Sequence, residues 1–466
     1  MTAALRKGAE GVRAPLRDAL VAGAIGALAR VAVVIWAAPR FPPVEDGRFY
    51  HVIAGRVAAG DGYTWLWPDG VVTFAAHYPV GYPALIGALY ALFGPLPVLA
   101  MLLNATLGTL SVIAVHRIAA SVATRAGALF AALSIALHPA LVAYTPALMT
   151  EGVSAALLAL AGWLTLRAAS GGARAWRRWL ALGALLGIAI LVRPQTLLIA
   201  PLFGALAVPF ASGARARLLA AAVVSAASLL VCLPWTLRNL VRMDRVVLVS
   251  ANGGWNLLIG AVDGATGTFV AIEGERVPSE CRTVFGEAAK DACFGRAALQ
   301  QIGRAPWRWF ALIPKKLALT FDYAGAAGWY LHASNPTALP ESAKVALGVV
   351  ETLWQRLLLG LGLFAVFRAP GPRRAARACA AACGALGLFT PVAWLSHLLL
   401  VLAPLLLGKR LAGHPPAALL AVALGATAVT HAVFFGAGRY SLVVFPLVGA
   451  LAGTALVWGR GPKPQT

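Results

Sequence analysis

The sequence predicts an all-α polytopic membrane protein, and three observations carry that reading. Of its 466 residues 60% are hydrophobic and 12% charged, with a mean hydropathy of +0.78, whereas ordinary soluble domains carry about 25% charged residues. The apolar residues fall into runs near the roughly 20 residues that cross a bilayer. The 39 Lys and Arg residues gather in short clusters between those runs, as in chains whose loops set their orientation. A net charge of +22 would suggest nucleic acid in a soluble chain; distributed this way it orients spans instead, and no nucleic-acid partner is expected.

The first run, 19–38, follows MTAALRKGAEGVRAPLR, which carries four basic residues. It is longer than the apolar region of a secretory signal, about 7–15 residues, and is read as a retained first span with its basic end in the cytoplasm. Further runs lie at 97–119, 126–144, 151–169, 179–192, 195–210, 218–236, 343–367, 377–394, 396–408, 415–435 and 441–458. The basic clusters Arg117 and Arg125, Arg167 to Arg178, Arg215 and Arg217, Arg368 to Arg377, and Lys409 with Arg410 then fall on the side of the N-terminus. About twelve transmembrane helices with both termini inside satisfy that rule. The expected organisation is an N-terminal transmembrane module over 1–236, a long outer loop with interfacial helices over 237–342, and C-terminal transmembrane helices over 343–466.

A first outer loop spans 39–96. Within it, HYPVGYPALIGALYALFG is broken by Pro79 and Pro83 and is expected to lie along the interface, where Trp65, Trp67, Tyr78 and Tyr82 suit the headgroup level.

The 17 acids are unevenly placed. Between Asp69 and Asp244 there is one, Glu151, at the mouth of a predicted span. An ionisable group at membrane depth costs roughly 2.5–3.5 kcal/mol even on lenient scales, so it turns to a cavity or a partner. The plainer reading is a helix N-terminal acid, with Thr150 or Glu151 as the cap. Asp46 poses the same choice: it opens a segment in which Asp46, Tyr50 and Ala54 share one helical face, and it would otherwise be an N-cap, with Glu45 solvated beside it. The topology was read from basic loops alone, yet it brings Asp46, His77, Glu151, Arg193 and Arg439 to one membrane face. A carboxylate suits a general base for a hydroxyl nucleophile, and arginine suits a phosphate. For Arg193 and Arg439 the plainer alternative is headgroup snorkelling; for His51 and His77 it is a satisfied interfacial histidine.

EDGRFYHVIAGRVAAGDGY and HYPVGYPALIGALYALFG, then LMTEG, LVRPQ, LPWTLRNL with SANGGWNLLIG, and GRYSLVVFPLVGALAG, in that order, resemble the GT-C superfamily of integral-membrane glycosyltransferases. The likeness is to bacterial glycosyltransferase family 39, related to protein O-mannosyltransferases and the lipid A aminoarabinose transferase. It covers most of the chain, with specificity in the order of the pieces. The resemblance implies inverting transfer of a sugar from a polyprenyl-phosphate carrier to a lipid, glycan or protein acceptor at the outer face of a bacterial cytoplasmic membrane. It places Asp46 as the base or acceptor-orienting acid and Glu151 as the second acid. It puts Arg193 and Arg439 near the carrier phosphate. Apart from the resemblance, Glu45, Tyr50, His77 and Tyr82 of the first outer loop are candidate substrate contacts. Val80 and Glu151 depart from the proline and aspartate seen in many relatives, which puts acceptor contacts in question.

Cys281 and Cys293 lie in the second outer loop, where an oxidising compartment would allow a disulfide; the alternative is two free thiols. Cys232, Cys379 and Cys383 fall in predicted spans and read as packing residues. Lys315 and Lys316, among aromatics, read as interfacial anchors within reach of a lipid phosphate. SANGGWN reads as a turn. No cofactor is expected. Two acids leave room for Mg²⁺ or Mn²⁺ held through oxygens, although the resembling enzymes work without one. A transporter or flippase of an anionic lipid-linked substrate is the rival reading, since it too places rare charges inside a bundle.

Overall fold

The computed structural model describes residues 3–172, 175–209, 211–369 and 373–457; Arg174 and the basic tail from 458 onward lie outside the described residues. The described residues are mainly helical. Among the described residues eight helices are long and apolar enough to cross a membrane: Leu16–Ala37, Pro97–Ala119, Thr150–Ala169, Ala175–Val192, Ala214–Met243, Glu341–Arg368, Pro415–Val433 and Gly438–Leu456.

The other four expected runs are helical but shorter or broken, and proline explains the breaks. Its ring removes an N–H and biases the preceding residue away from helix. The run expected at 126–144 divides into Arg125–Ala136 and Pro139–Ala143, with His138 extended before Pro139. That at 195–210 opens as a 3-10 turn at Pro194 before helix Ala200–Leu206. Arg374–Leu388 stops short of Pro391, and Trp394–Val401 gives way to Ala403–Leu407 with Pro404 in its first turn.

Breaking a helix inside the bundle strands carbonyls, and the sequence supplies a donor for them. Arg30, only 1% exposed, gives hydrogen bonds to Ile135 O (3.2 Å) and Ala136 O (3.2 Å) at the end of helix Arg125–Ala136, and to Gly26 O (3.1 Å) in its own helix. A cation there also complements the helix dipole. At the far end of the bundle Asp18 takes a bidentate pair from Arg125 (2.6 and 2.8 Å).

The two long loops make one layer over one end of the bundle. Helices Asp46–Ala58 and Gly81–Phe93 pack together. Between them lies a hairpin that the all-α reading missed, Thr64–Leu66 paired antiparallel with Val72–Phe74. Its signal is the Pro68-Asp69-Gly70 turn between β-rich runs. The second loop is fastened to the first by Ala251 N–H to Ala76 O (2.7 Å), by Ser334 to Pro42 O (2.6 Å) and by Arg238, which donates to Tyr63 O (2.7 Å) and Ala75 O (2.8 Å). Cys281 and Cys293 are joined by a disulfide, Cα–Cα 5.8 Å, which pins helix Glu287–Arg304 to the turn before it.

Two expectations from the sequence differ in the structure. Lys316 is no headgroup anchor: it is fully buried, its Nζ reaches Ala432 O (3.4 Å) and Val433 O (3.3 Å) at the end of helix Pro415–Val433, and it sits 4.9 Å from the Trp309 ring centre. Cys379 and Cys383 are exposed on helix Arg374–Leu388 rather than packed, because they share the face that turns away from the bundle. Asn104 sits inside helix Pro97–Ala119, as its apolar run predicts, and donates to Thr145 O (3.1 Å) and Ala147 O (2.9 Å).

Candidate active site

Asp46 is the first residue of helix Asp46–Ala58, and Glu45 holds the N-cap position with no side-chain cap bond. The capping reading of Asp46 therefore fails. Its carboxylate accepts the Tyr78 hydroxyl at 2.7 Å through Oδ1 and pairs with Arg439 Nη2 at 3.1 Å through Oδ2. Two backbone features hold it there. Glu45 has φ +52°, a strained conformation for a residue with a Cβ. At Gly47 an added Cβ would stand 2.5 Å from the Tyr330 hydroxyl oxygen, so only glycine allows Tyr330 to take N–H bonds from Val44 and Leu148 (3.4 Å each).

Glu151 is likewise not a cap: helix Thr150–Ala169 is preceded by Met149, without a cap bond. Only 3% exposed, it accepts Arg193 Nη1 (2.9 Å) and lies 3.6 Å from Arg439 Nε, while Tyr144 donates to its second oxygen (3.1 Å). Arg193 is extended between helix Ala175–Val192 and the turn that Pro194 begins, and also donates to Thr150 Oγ1 (3.2 Å). Arg439 rides on the 3-10 segment Gly438–Val444, 5.3 Å from the Trp329 ring and 5.2 Å from that of Tyr440. Gly438 is needed for that approach, since a Cβ would meet Tyr323 O at 2.2 Å.

The result is a quartet of Asp46, Arg439, Glu151 and Arg193, two negative and two positive, with Arg439 touching both acids. Headgroup snorkelling does not describe either arginine. Asp46 retains 26% exposure against 3% for Glu151. The difference separates their chemistry: Asp46 is open to a substrate, whereas Glu151 is enclosed by its partners and fixes the guanidinium groups.

Two cavities meet at this quartet. One, of about 480 Å³, is lined by Glu151, Arg193, His77 and Trp255 together with polar residues of the second loop. The other, of about 770 Å³, is mainly apolar, with Phe269, Leu319 and Trp329 in its wall and Lys315 and Lys344 at its surface. Asp46, Arg439 and Tyr440 line both.

Burial and the Asp46 carboxylate push the Tyr78 phenol well above its ordinary range, so it stays a hydroxyl donor to Asp46. Burial lowers His77 against the opposing pull of Asp46. Of the other expected contacts, Tyr50 lines the smaller cavity and Glu45 the larger. Tyr82 lines neither: it is wholly buried and donates to Asn104 Oδ1 (3.1 Å). Tyr50 packs edge-on against its ring, and Tyr78 in turn against Tyr50.

Sequence reasoning missed the groups that hold the smaller cavity in shape. Glu287 accepts the backbone N–H of Ala76 (2.6 Å) and His77 (2.9 Å), and Asp291, one turn on, accepts that of Trp255 (2.8 Å). Burial raises both carboxyls above their ordinary values. The spacing of Glu287 and Asp291 on one helical face was the available signal. No group of three or more His, Cys, Asp or Glu able to hold a metal occurs among the described residues. Both acids of the quartet are already engaged by guanidinium groups, a set that does not fit a divalent cation.

Residues 77–237 match the family model described as dolichyl-phosphate-mannose-protein mannosyltransferase. Glu151 and Arg193 fall within that stretch; Asp46 and Arg439 do not. No curated protein matches the chain. Among solved structures it is similar to the oligosaccharyltransferase AglB of Archaeoglobus fulgidus. The form in complex with an inhibitory peptide and a dolichol-phosphate has 16% identity and a TM-score of 0.47, over 94% of this chain and 50% of that one. The form tethered to an acceptor peptide has 15% identity and a TM-score of 0.48, over 95% and 49%. The chain thus spans about half the length of these proteins, and likeness at this level carries no functional weight. The family match stands independently of it: residues 77–237 match the model of the dolichyl-phosphate-mannose-protein mannosyltransferases, in keeping with the resemblance to GT-C membrane glycosyltransferases.

Proposed function

We propose that the chain transfers a sugar, with inversion, from a polyprenyl-phosphate carrier to a hydroxyl acceptor, at the outer face of a bacterial cytoplasmic membrane. The observation that carries the reading is the shared position of Asp46 and Arg439 between two unlike cavities. The larger, apolar and rimmed by lysines, suits a polyprenyl chain with its phosphate; the smaller suits the acceptor. The acceptor hydroxyl gives its proton to Asp46 while its oxygen attacks the anomeric carbon. The bond from that carbon to the phosphate oxygen breaks, and its electron pair stays on the carrier phosphate. That phosphate gains one negative charge as Asp46 loses its own, so Arg439 turns from acid to phosphate with Lys315 beside it. Arg193 lines only the smaller cavity, so its role is to hold Glu151 and, through it, Arg439.

The test is carrier release from a panel of radiolabelled polyprenyl-phosphate sugars, with purified wild-type protein and Asp46→Asn. Release by wild type and a loss of at least about 10³-fold in the variant is expected, on the scale of a general base together with its electrostatic effect. Equal release by both would remove Asp46 as base. No release by either across the panel would turn the reading toward transport.

A further inference from the structure

We infer that the smaller cavity contains a carbohydrate subsite built from Trp255, Asn256, Asn252 and Gln195, which recognises a neutral, hydroxyl-rich glycosyl group. The inference rests on the proposed transferase reading and narrows its acceptor. All four residues are half-buried and line the cavity beside His77 and Asp46.

What singles them out is the state of their polar groups. The charged groups of the cavity wall are already engaged within the protein: Arg193 with Glu151, Arg439 with both acids, and Asp291 with the Trp255 backbone N–H. Among the described residues the Trp255 indole N–H and the side-chain amides of Asn256 and Gln195 have no intramolecular hydrogen bond. Asn252 uses only its Oδ1, which accepts from Ser250 (2.9 Å), leaving its NH₂ free. The unpaired set is therefore uncharged, with two complete amides that both donate and accept. Such a set complements neighbouring hydroxyls, each of which also donates and accepts, better than it complements a phosphate or carboxylate.

Trp255 adds an apolar surface to that polar set. Its ring is held edge-on by His77 (5.3 Å, 82°) and by Phe294 (4.8 Å, 64°), and its backbone is clipped by Asp291. A fixed indole beside unpaired amides matches the two surfaces of a pyranose, its C–H face and its hydroxyl rim. A peptide acceptor would instead need partners for its backbone; the hairpin Thr64–Leu66 with Val72–Phe74 does not line this cavity.

The test is saturation-transfer NMR on the full-length protein in detergent, with the neutral methyl glycosides of mannose, glucose, galactose and arabinose and a Ser/Thr peptide as probes. At least one glycoside is expected to bind. Trp255→Ala should weaken it about tenfold and Asn256→Ala about fivefold, the scale of one aromatic contact and one hydrogen bond. Trp255→Phe, which keeps the packing on Phe294, should fall between them. Absence of transfer to every glycoside, or unchanged affinity in Trp255→Ala with native unfolding temperature, overturns the subsite; so does peptide binding that Trp255→Ala abolishes. A glycoside that receives labelled sugar supports the acceptor assignment, while one that only competes with the lipid-linked sugar places the donor's own sugar there and overturns it. Carrier-phosphate binding is measured in parallel. If that persists while glycosides fail, the subsite alone is refuted; if wild type binds no carrier, the transferase reading fails.

Discussion

Glu151→Gln separates a positioning acid from a catalytic one. Glutamine keeps the volume and one acceptor oxygen, but it removes the charge that Arg193 and Arg439 face at 2.9 and 3.6 Å and turns an amide donor toward one of them or toward the Tyr144 hydroxyl. Removing one partner of a fully buried pair costs about 3–5 kcal/mol. Here Arg193 and Arg439 keep 12% and 20% exposure and Arg439 retains Asp46, so partial screening reduces the expected cost to about 2–3 kcal/mol. Denaturant unfolding in detergent, followed by tryptophan fluorescence, should show that loss, and carrier release should fall with it because Arg439 is no longer held. The double variant Glu151→Gln with Arg193→Gln should recover about 1–2 kcal/mol, since one stranded cation is gone. Wild-type stability and transfer in Glu151→Gln, or strictly additive losses in the double variant, would refute the claim that the quartet is one electrostatic unit.

Burial pushes Lys316 down to about 8, so between pH 8 and the ordinary lysine value near 10.4 the unfolded chain binds a proton that the folded chain does not, and stability should rise with pH across that window. The difference between wild type and Lys316→Met, measured by thermal unfolding from pH 7 to 10, should carry that slope; parallel curves would contradict it. Replacing Cys281 and Cys293 by alanine reopens a 12-residue separation, for which chain entropy predicts about 3 kcal/mol. Trypsin should then cut at Arg282 or Lys290 well before wild type is touched, and equal cutting rates would count against the pinning role of the bridge. Arg30→Met leaves Ile135 O and Ala136 O without their donor, at about 1–3 kcal/mol for each unsatisfied group; Arg30→Lys should recover part of that in the same unfolding assay.

The helical bundle was legible because bilayer physics writes it into composition: twelve apolar runs predicted from sequence are helical. The breaks within them were less legible. Pro139 and Pro194 announce an interruption, but not that Arg30 lies across the chain to receive the freed carbonyls. The site residues that could be found were those whose presence contradicts their surroundings, such as Glu151, the one acid among the 174 residues between the aspartates at 69 and 244. Trp255, Asn256, Glu287 and Asp291 stand in a loop where polar residues are ordinary, and only the contact between the two loops, from Glu287 to the backbone of Ala76 and His77, gives them a place. Lys316 misled for the converse reason: a lysine among aromatics is common at a headgroup surface, and burial against a helix end leaves no mark in local sequence.

The balanced quartet has a consequence for the order of events. Two carboxylates and two guanidinium groups leave no net charge to attract an anionic carrier, so the phosphate must take Arg439 from Asp46, and the carboxylate must lose its cation as it becomes a base. Asp46 and the donor phosphate are thus competitors for one guanidinium. Asp46→Asn then has an effect opposite in sign on its two readouts. Transfer is lost, but polyprenyl phosphate binds more tightly, because the amide no longer holds Arg439; for a pair with 26% and 20% exposure the gain is about 1 kcal/mol or less, a factor of about three to five in Kd. Arg439→Gln, by contrast, weakens phosphate binding and transfer together. Titration of polyprenyl phosphate by calorimetry distinguishes the cases. Binding to Asp46→Asn that is unchanged or weaker than to wild type would mean that Arg439 serves Asp46 throughout and that the phosphate charge is met elsewhere, with Lys315 and Lys344 the groups left to meet it.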